Sequence, residues 1–181
     1  MRLGIYIGSF NPVHKGHIDV VNYLINNKYV DKVLIVPTLG YWDKVDLAPL
    51  DDRINMLKIF ESDKIIVDRE HNGYEYTYQL MRELAKCYQD ELYLIMGADN
   101  IISFDKWKNY QELLKYKIIV MNRDNVDIDS YIKKYKSDNF IVVNDYKFID
   151  VSSSEIRKNL DNKYIDERVL KYIKEKGLYV I

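Results

Sequence analysis

A chain of 181 residues, 48% of them hydrophobic, has room for one well-filled core and not for a second of similar size. Its 27 basic and 28 acidic side chains leave a formal charge of -1, so no overall field draws nucleic acid or an acidic membrane, and neither partner is expected. The single cysteine, Cys87, excludes an intrachain disulfide and suits a reducing interior. The opening residues carry no cleavable-signal pattern and nowhere do about 18 apolar residues run together, so a cytoplasmic location is expected.

In chain order, short apolar runs alternate with longer amphipathic ones. Residues 3–7 read as a strand. Residues 17–26 then place Ile18, Val21, Leu24 and Ile25 on one stripe, which is helical spacing. Strand-like runs follow at 33–36, 65–67, 92–96, 118–121 and 140–143, with helical patterns at 51–61, 77–88, 110–115 and 128–136. Two last helices are expected to begin near Ser153 and Asp166. The strand runs are apolar without alternation, as in strands buried on both faces. This order predicts an α/β fold: a Rossmann-like, doubly wound parallel sheet with helices on both faces. No repeat, low-complexity segment or linker interrupts it, so residues 1–181 read as a single domain. Ligands of such sheets sit beyond the carboxyl ends of the strands, where strand order reverses.

Directly after the first strand stands Gly8-Ser9-Phe10-Asn11-Pro12-Val13-His14-Lys15-Gly16-His17. Gly8 permits a tight turn, Pro12 stiffens the loop, and Gly16 leaves space for a ligand or another backbone. His14 and His17, three apart at a helix start, can face the same side. Free N–H groups and a partial positive charge suit that end of a helix to phosphate, and two imidazoles can donate to phosphoryl oxygens as negative charge develops. The competing reading makes each histidine a helix-cap side chain. A zinc site lacks a third ligand: His71 is the one remaining histidine, Cys87 falls inside a predicted helix, and neither has suitable spacing.

Downstream, Val151-Ser152-Ser153-Ser154-Glu155-Ile156-Arg157 opens a second helix, with Ser152 and Glu155 in capping-box positions. A well-capped surface helix accounts for it. A serine cluster with an arginine in the first turns also makes a phosphate cradle, since a guanidinium can bridge two oxygens. Between the two motifs, Gly97 ends a strand in Met96-Gly97-Ala98-Asp99-Asn100. Asp99 there can accept from ribose hydroxyls or cap a helix, and Trp107 can stack on a flat ring or be partly buried. No Ser–His–Asp or Cys–His order suggests a protein nucleophile.

The first motif resembles the signature of the nucleotidylyltransferase superfamily that includes the adenylyltransferases of nicotinate mononucleotide and of phosphopantetheine. The second is similar to that superfamily's I-S-S-T-x-I-R element, with Val151 and Ser154 as replacements. The resemblance implies that Gly8, Ser9, Phe10, His14, His17, Gly97, Asp99, Ser153, Ser154 and Arg157 bind ATP. It further implies that His14, His17 and Arg157 are catalytic, His14 and His17 touching the phosphates and Arg157 steadying the departing pyrophosphate. Mg2+ is implied too, held mainly by ATP oxygens and water rather than by protein ligands.

Gly97-Ala98-Asp99 with Trp107, and Tyr76-Thr77 before a helix, resemble the acceptor elements of the nicotinate-nucleotide branch. They imply adenylyl transfer to nicotinate mononucleotide, giving nicotinate adenine dinucleotide for NAD synthesis. Tyr76, Thr77, Trp107 and Lys44 are the implied acceptor-binding residues. Two departures stand out: Leu80 replaces a second threonine, and Trp42-Asp43-Lys44 replaces Pro-His-Lys. Arg53 is either structural or an aid to Lys44, and Arg123 reads as a solvated loop charge. The alternatives are a phosphopantetheine adenylyltransferase or a non-catalytic nucleotide-binding regulator of the same fold. Tyrosine-rich surfaces are compatible with a homo-oligomer.

Overall fold

The structure, a computed structural model, describes residues 1–39 and 47–180. Six strands form one parallel sheet: β1 (Arg2–Gly8), β2 (Lys32–Pro37), β3 (Ile65–Val67), β4 (Glu91–Gly97), β5 (Lys117–Met121) and β6 (Phe140–Val143). Their spatial order is β3-β2-β1-β4-β5-β6, with every pairing parallel. Strand order therefore reverses between β1 and β4, where Arg2 lies opposite Glu91 and Tyr6 opposite Ile95. Gly8 and Gly97 are the last residues of these two strands, so both glycines stand at the crevice such sheets use for ligands.

The strands are apolar throughout because each contributes to two cores. Val33, Ile35, Tyr93, Ile95, Ile119 and Met121 face one side, while Leu34, Val36, Leu92, Leu94, Ile118 and Val120 face the other. On the first side pack α1 (Lys15–Asn26), α2 (Leu50–Lys58), α7 (Ser153–Lys158) and α8 (Glu167–Lys176). On the second pack α3 (Thr77–Cys87), α4 (Ala98–Ile102), α5 (Tyr110–Leu113) and α6 (Ile128–Ile132). Gly4 belongs to the tight part of the first side, since a Cβ there would come within 2.9 Å of Ile95 and 3.3 Å of Val30.

All six predicted strands are present. Helix ends differ, and the backbone shows why. The pattern over 51–61 ends as α-helix at Lys58, because Ile59 and Phe60 donate to Met56 and Leu57 in tighter three-residue turns. The pattern over 110–115 shortens for the same reason. That over 128–136 passes into a 3-10 turn at Lys133–Tyr135 and stops at Lys136, whose φ of 50° is left-handed. α4 and the 3-10 turn Phe104–Lys106 were not anticipated. No helix among the described residues is long and apolar enough to cross a membrane.

Candidate active site

The loop leaving β1 turns sharply at Phe10, a buried residue with φ of 47°. Its ring is wedged edge-on between Tyr6, 5.3 Å away, and His17, 4.9 Å away. Packing on both sides holds a backbone conformation that non-glycine residues avoid. The chain then reaches His14, which caps α1.

The two histidines cap one another. His14 Nδ1 accepts from the backbone N–H of Gly16 (3.0 Å) and of His17 (3.3 Å), and His17 Nδ1 accepts from the N–H of His14 (3.1 Å). The rings stack with centroids 3.7 Å apart. A ring nitrogen that accepts carries no proton, so in each neutral imidazole the proton sits on Nε2. Burial lowers the pKa of His14 to about 4, assisted by the positive charge of Arg123. Burial, then the His14 ring, holds His17 well below its ordinary value. At neutral pH the pair is thus two uncharged rings, each with an Nε2–H donor. Capping and donating are not alternatives here; different nitrogens do each. Gly16 makes the arrangement fit, since a Cβ there would lie 2.9 Å from His14 Cε1 and 3.0 Å from Val151 Cγ1.

This protonation has a measurable signature. Unfolded, His14 binds its proton near 6.5; folded, it refuses it until about 4. The unfolded chain binds more protons in that window, so the His14 contribution to stability falls as pH drops below 6.5, by up to about 1.4 kcal/mol per pH unit. His14→Asn keeps a capping oxygen but cannot titrate. Urea unfolding should show wild type losing stability relative to His14→Asn between pH 6.5 and 4, with a constant difference above 7. Parallel pH curves would overturn the neutral-pair assignment.

The second motif lies against the first. Ser152 caps α7, accepting from the N–H of Glu155 at 3.2 Å. Ser153 Oγ donates to the carbonyl of Pro12 (2.9 Å), and Arg157 donates to the carbonyl of Asn11 (2.8 Å) and to Ser154 Oγ (3.2 Å). Residues more than 140 positions apart in sequence are therefore latched together. Ser154, Arg157 and Lys158 also line a cavity of about 580 Å³ with Ala48, Pro49 and Tyr179.

Beside β1, Gly97 is the N-cap of α4 and Asp99 lies in its first turn, so Asp99 is not the cap. Its carboxylate folds back over the strand end: a Cβ on Gly97 would be 2.7 Å from Asp99 Oδ1. Tyr76, Thr77 and Trp107 meet in a second cavity of about 270 Å³, completed by Glu75, Lys106 and Lys108. Lys108 Nζ stands 5.3 Å from the centre of the Tyr76 ring. The two lysines flank Trp107 in sequence, a Lys-Trp-Lys signal that sequence reasoning passed over.

Lys44 lies outside the described residues. Arg53 is 1% exposed and donates to the carbonyls of Ala48 (2.9 Å), Ser9 (2.9 Å) and Thr38 (2.6 Å). It is a buried tie between the first motif and the loops around α2. Arg123, which reads from sequence as a solvated loop charge, is half exposed and paired with Asp150 at 3.7 Å, yet near enough to depress His14.

A parallel sheet that reverses at two glycines, with a helix N-terminus bearing paired imidazole donors, defines a nucleotide-handling α/β protein of nucleotidyltransferase type. The chain belongs to the cytidylyltransferase-like family, whose model matches residues 5–159, and within it to the nicotinate-nucleotide adenylyltransferases. It is 35% identical over 189 residues to a protein of Acholeplasma laidlawii (97% of this chain, 96% of that one). It is 33% identical over 175 residues to one of Fusobacterium nucleatum (90% and 89%). Both are named "probable nicotinate-nucleotide adenylyltransferase". The nicotinic acid mononucleotide adenylyltransferase of Plasmodium falciparum, solved complexed with NaAD, superposes with a TM-score of 0.80 at 26% identity, covering 98% of this chain and 97% of that one.

Proposed function

We propose that this chain, acting as one nucleotidylyltransferase domain in the cytoplasm, transfers the adenylyl group of ATP to nicotinate mononucleotide. The products are nicotinate adenine dinucleotide, a precursor of NAD, and pyrophosphate. The observation that carries the reading is the mutual cap of His14 and His17, which leaves two uncharged Nε2–H donors at the N-terminus of α1. The names of the relatives and the ligand of the Plasmodium enzyme support the choice of reaction.

In this reaction an oxygen of the acceptor phosphate attacks the α-phosphorus in line as the bond to pyrophosphate breaks. No protein nucleophile is required, so catalysis consists of positioning and charge stabilisation. His14 and His17 donate to phosphate oxygens that gain charge in the transition state. Both Nε2–H donors are fixed in place by the caps their Nδ1 atoms make. Gly8, Ser9 and Phe10 shape the backbone that the triphosphate meets, Gly97 allows close approach, and Asp99 accepts from the ribose. Ser153, Ser154 and Arg157 hold the outer phosphates, with Arg157 stabilising the leaving pyrophosphate. Mg2+ would come with those phosphates, held mainly by ATP oxygens and water. The donors facing the site suit oxyanions. When bound, the ion supplies further neutralisation of phosphate charge.

The cavity of Tyr76, Thr77 and Trp107 receives the acceptor's ring, with Lys44 a candidate for its phosphate. Lys106 and Lys108 outweigh Glu75 in its lining and leave a net positive charge, which favours a carboxylate over an amide. The test is pyrophosphate release with ATP and a panel of nicotinate mononucleotide, nicotinamide mononucleotide and phosphopantetheine. Nicotinate mononucleotide should have the largest kcat/KM. Trp107→Ala should weaken both pyridine nucleotides and change their ratio little, because stacking reads the ring and not its charge. Turnover with phosphopantetheine alone would reassign the acceptor and leave adenylyl transfer intact. No turnover with any acceptor, with ATP still bound, would favour a regulator.

A further inference from the structure

On the flank of the sheet, the loop after β3 and the end of α3 bring a carboxylate, an imidazole and a thiol into line. Asp68, 6% exposed, accepts the backbone N–H of His71 at Oδ2 and pairs with His71 Nδ1 at Oδ1, both at 2.7 Å. Two bonds to one residue fix the ring. A carboxylate only accepts, so in the neutral ring Nδ1 carries the proton and Nε2 is an acceptor. That Nε2 lies 3.6 Å from Sγ of Cys87, the last residue of α3 and an exposed one. The Tyr74 ring lies nearly parallel to the imidazole, with centroids 6.4 Å apart. The sequence suggests no such grouping, because the order Asp68, His71, Cys87 is split between a loop and the far end of a helix.

We propose that Cys87 is a modification site at which His71 takes the thiol proton and the sulfur exchanges with a small disulfide. Asp68 holds the ring in the receiving tautomer. The thiolate attacks one sulfur of R–S–S–R, a new S–S bond forms, and the original one breaks. The leaving thiolate takes the proton back from the imidazolium, giving a mixed disulfide and one free thiol. The small disulfide is the oxidant, so the step balances. The neighbouring cation in sequence, Lys86, is engaged by Glu83 at 3.0 Å. Activation therefore falls to His71. With no second cysteine in the chain, no internal thiol can reverse the adduct; an external thiol is required.

The test uses the full chain at pH 7 with 4,4′-dithiodipyridine, a neutral disulfide, following release of the pyridinethione. Cys87→Ser should release none, and wild type should react about tenfold or more faster than His71→Gln. Asp68→Asn should fall toward the His71→Gln rate. Because Asp68 is buried, circular dichroism decides whether that variant has folded; if it has not, His71→Gln alone decides the matter. Equal rates for wild type and folded His71→Gln would overturn the assignment. These rates are independent of adenylyl transfer.

Discussion

His17→Ala should keep most ATP binding and lose roughly a hundredfold or more in turnover, the usual cost of removing one donor aimed at developing charge. Two facts fit this side chain for the role. Its Nδ1 is committed to the His14 N–H, so its Nε2 must be the donor, and its ring is clamped between Phe10 and His14. A donor held this way needs no reorganisation when the transition state forms. Because alanine also removes the acceptor for the His14 N–H, His17→Asn is the companion variant. Its amide oxygen can restore the cap while leaving the Nε2 position empty. Both variants should be slow in pyrophosphate release with nearly unchanged ATP affinity. Near-normal turnover in folded His17→Ala would end the role given to this residue.

The largest expected loss of stability comes from Arg53, which makes no proposed contact with substrate. Arg53→Met should cost roughly 3 kcal/mol or more, because it strips partners from the carbonyls of Ser9, Thr38 and Ala48 around a buried position. Methionine has a similar volume but no donor, so the loss reports hydrogen bonding more than volume. Arg53→Lys keeps a charge and a donor and should fall between. Urea unfolding of the three proteins would check the order. A change within about 0.5 kcal/mol for Arg53→Met, the range of ordinary surface substitutions, would show that the tie is dispensable.

Sequence alone carried the strands and their parallel arrangement well, for a physical reason. A strand covered on both faces has no polar face to disguise it, so 92–96 and 118–121 stand out as unbroken apolar runs. Helix ends were less legible because the last turns of α2 and α5 tighten into three-residue bonds that no side-chain pattern announces. α4, with five residues, is too short to show a period. The two phosphate-type motifs were visible as strings, but their contact was not, since it runs through the carbonyls of Asn11 and Pro12. Treating the histidines as either caps or donors was a false choice, because one ring offers two nitrogens. Arg123 beside His14, and Cys87 beside the local Asp68–His71 pair, depend on proximity between separated segments and left no local signal.

The reversal of strand order between β1 and β4 also governs when the protein can become competent during synthesis. β1 finds β2 within its own first forty residues, but its other neighbour begins at Glu91. Until that segment has left the ribosome, one edge of β1 is open and the crevice beyond Gly8 and Gly97 has only one wall. The histidine cap, being local to residues 14–17, is able to form early; the latch of Ser153 and Arg157 onto Asn11 and Pro12 must wait for the last part of the chain. Parallel pairing across such separations closes slowly. A nascent chain can therefore hold its imidazole pair well before it has the second wall or the arginine, and it gains the complete phosphate site only when α7 emerges.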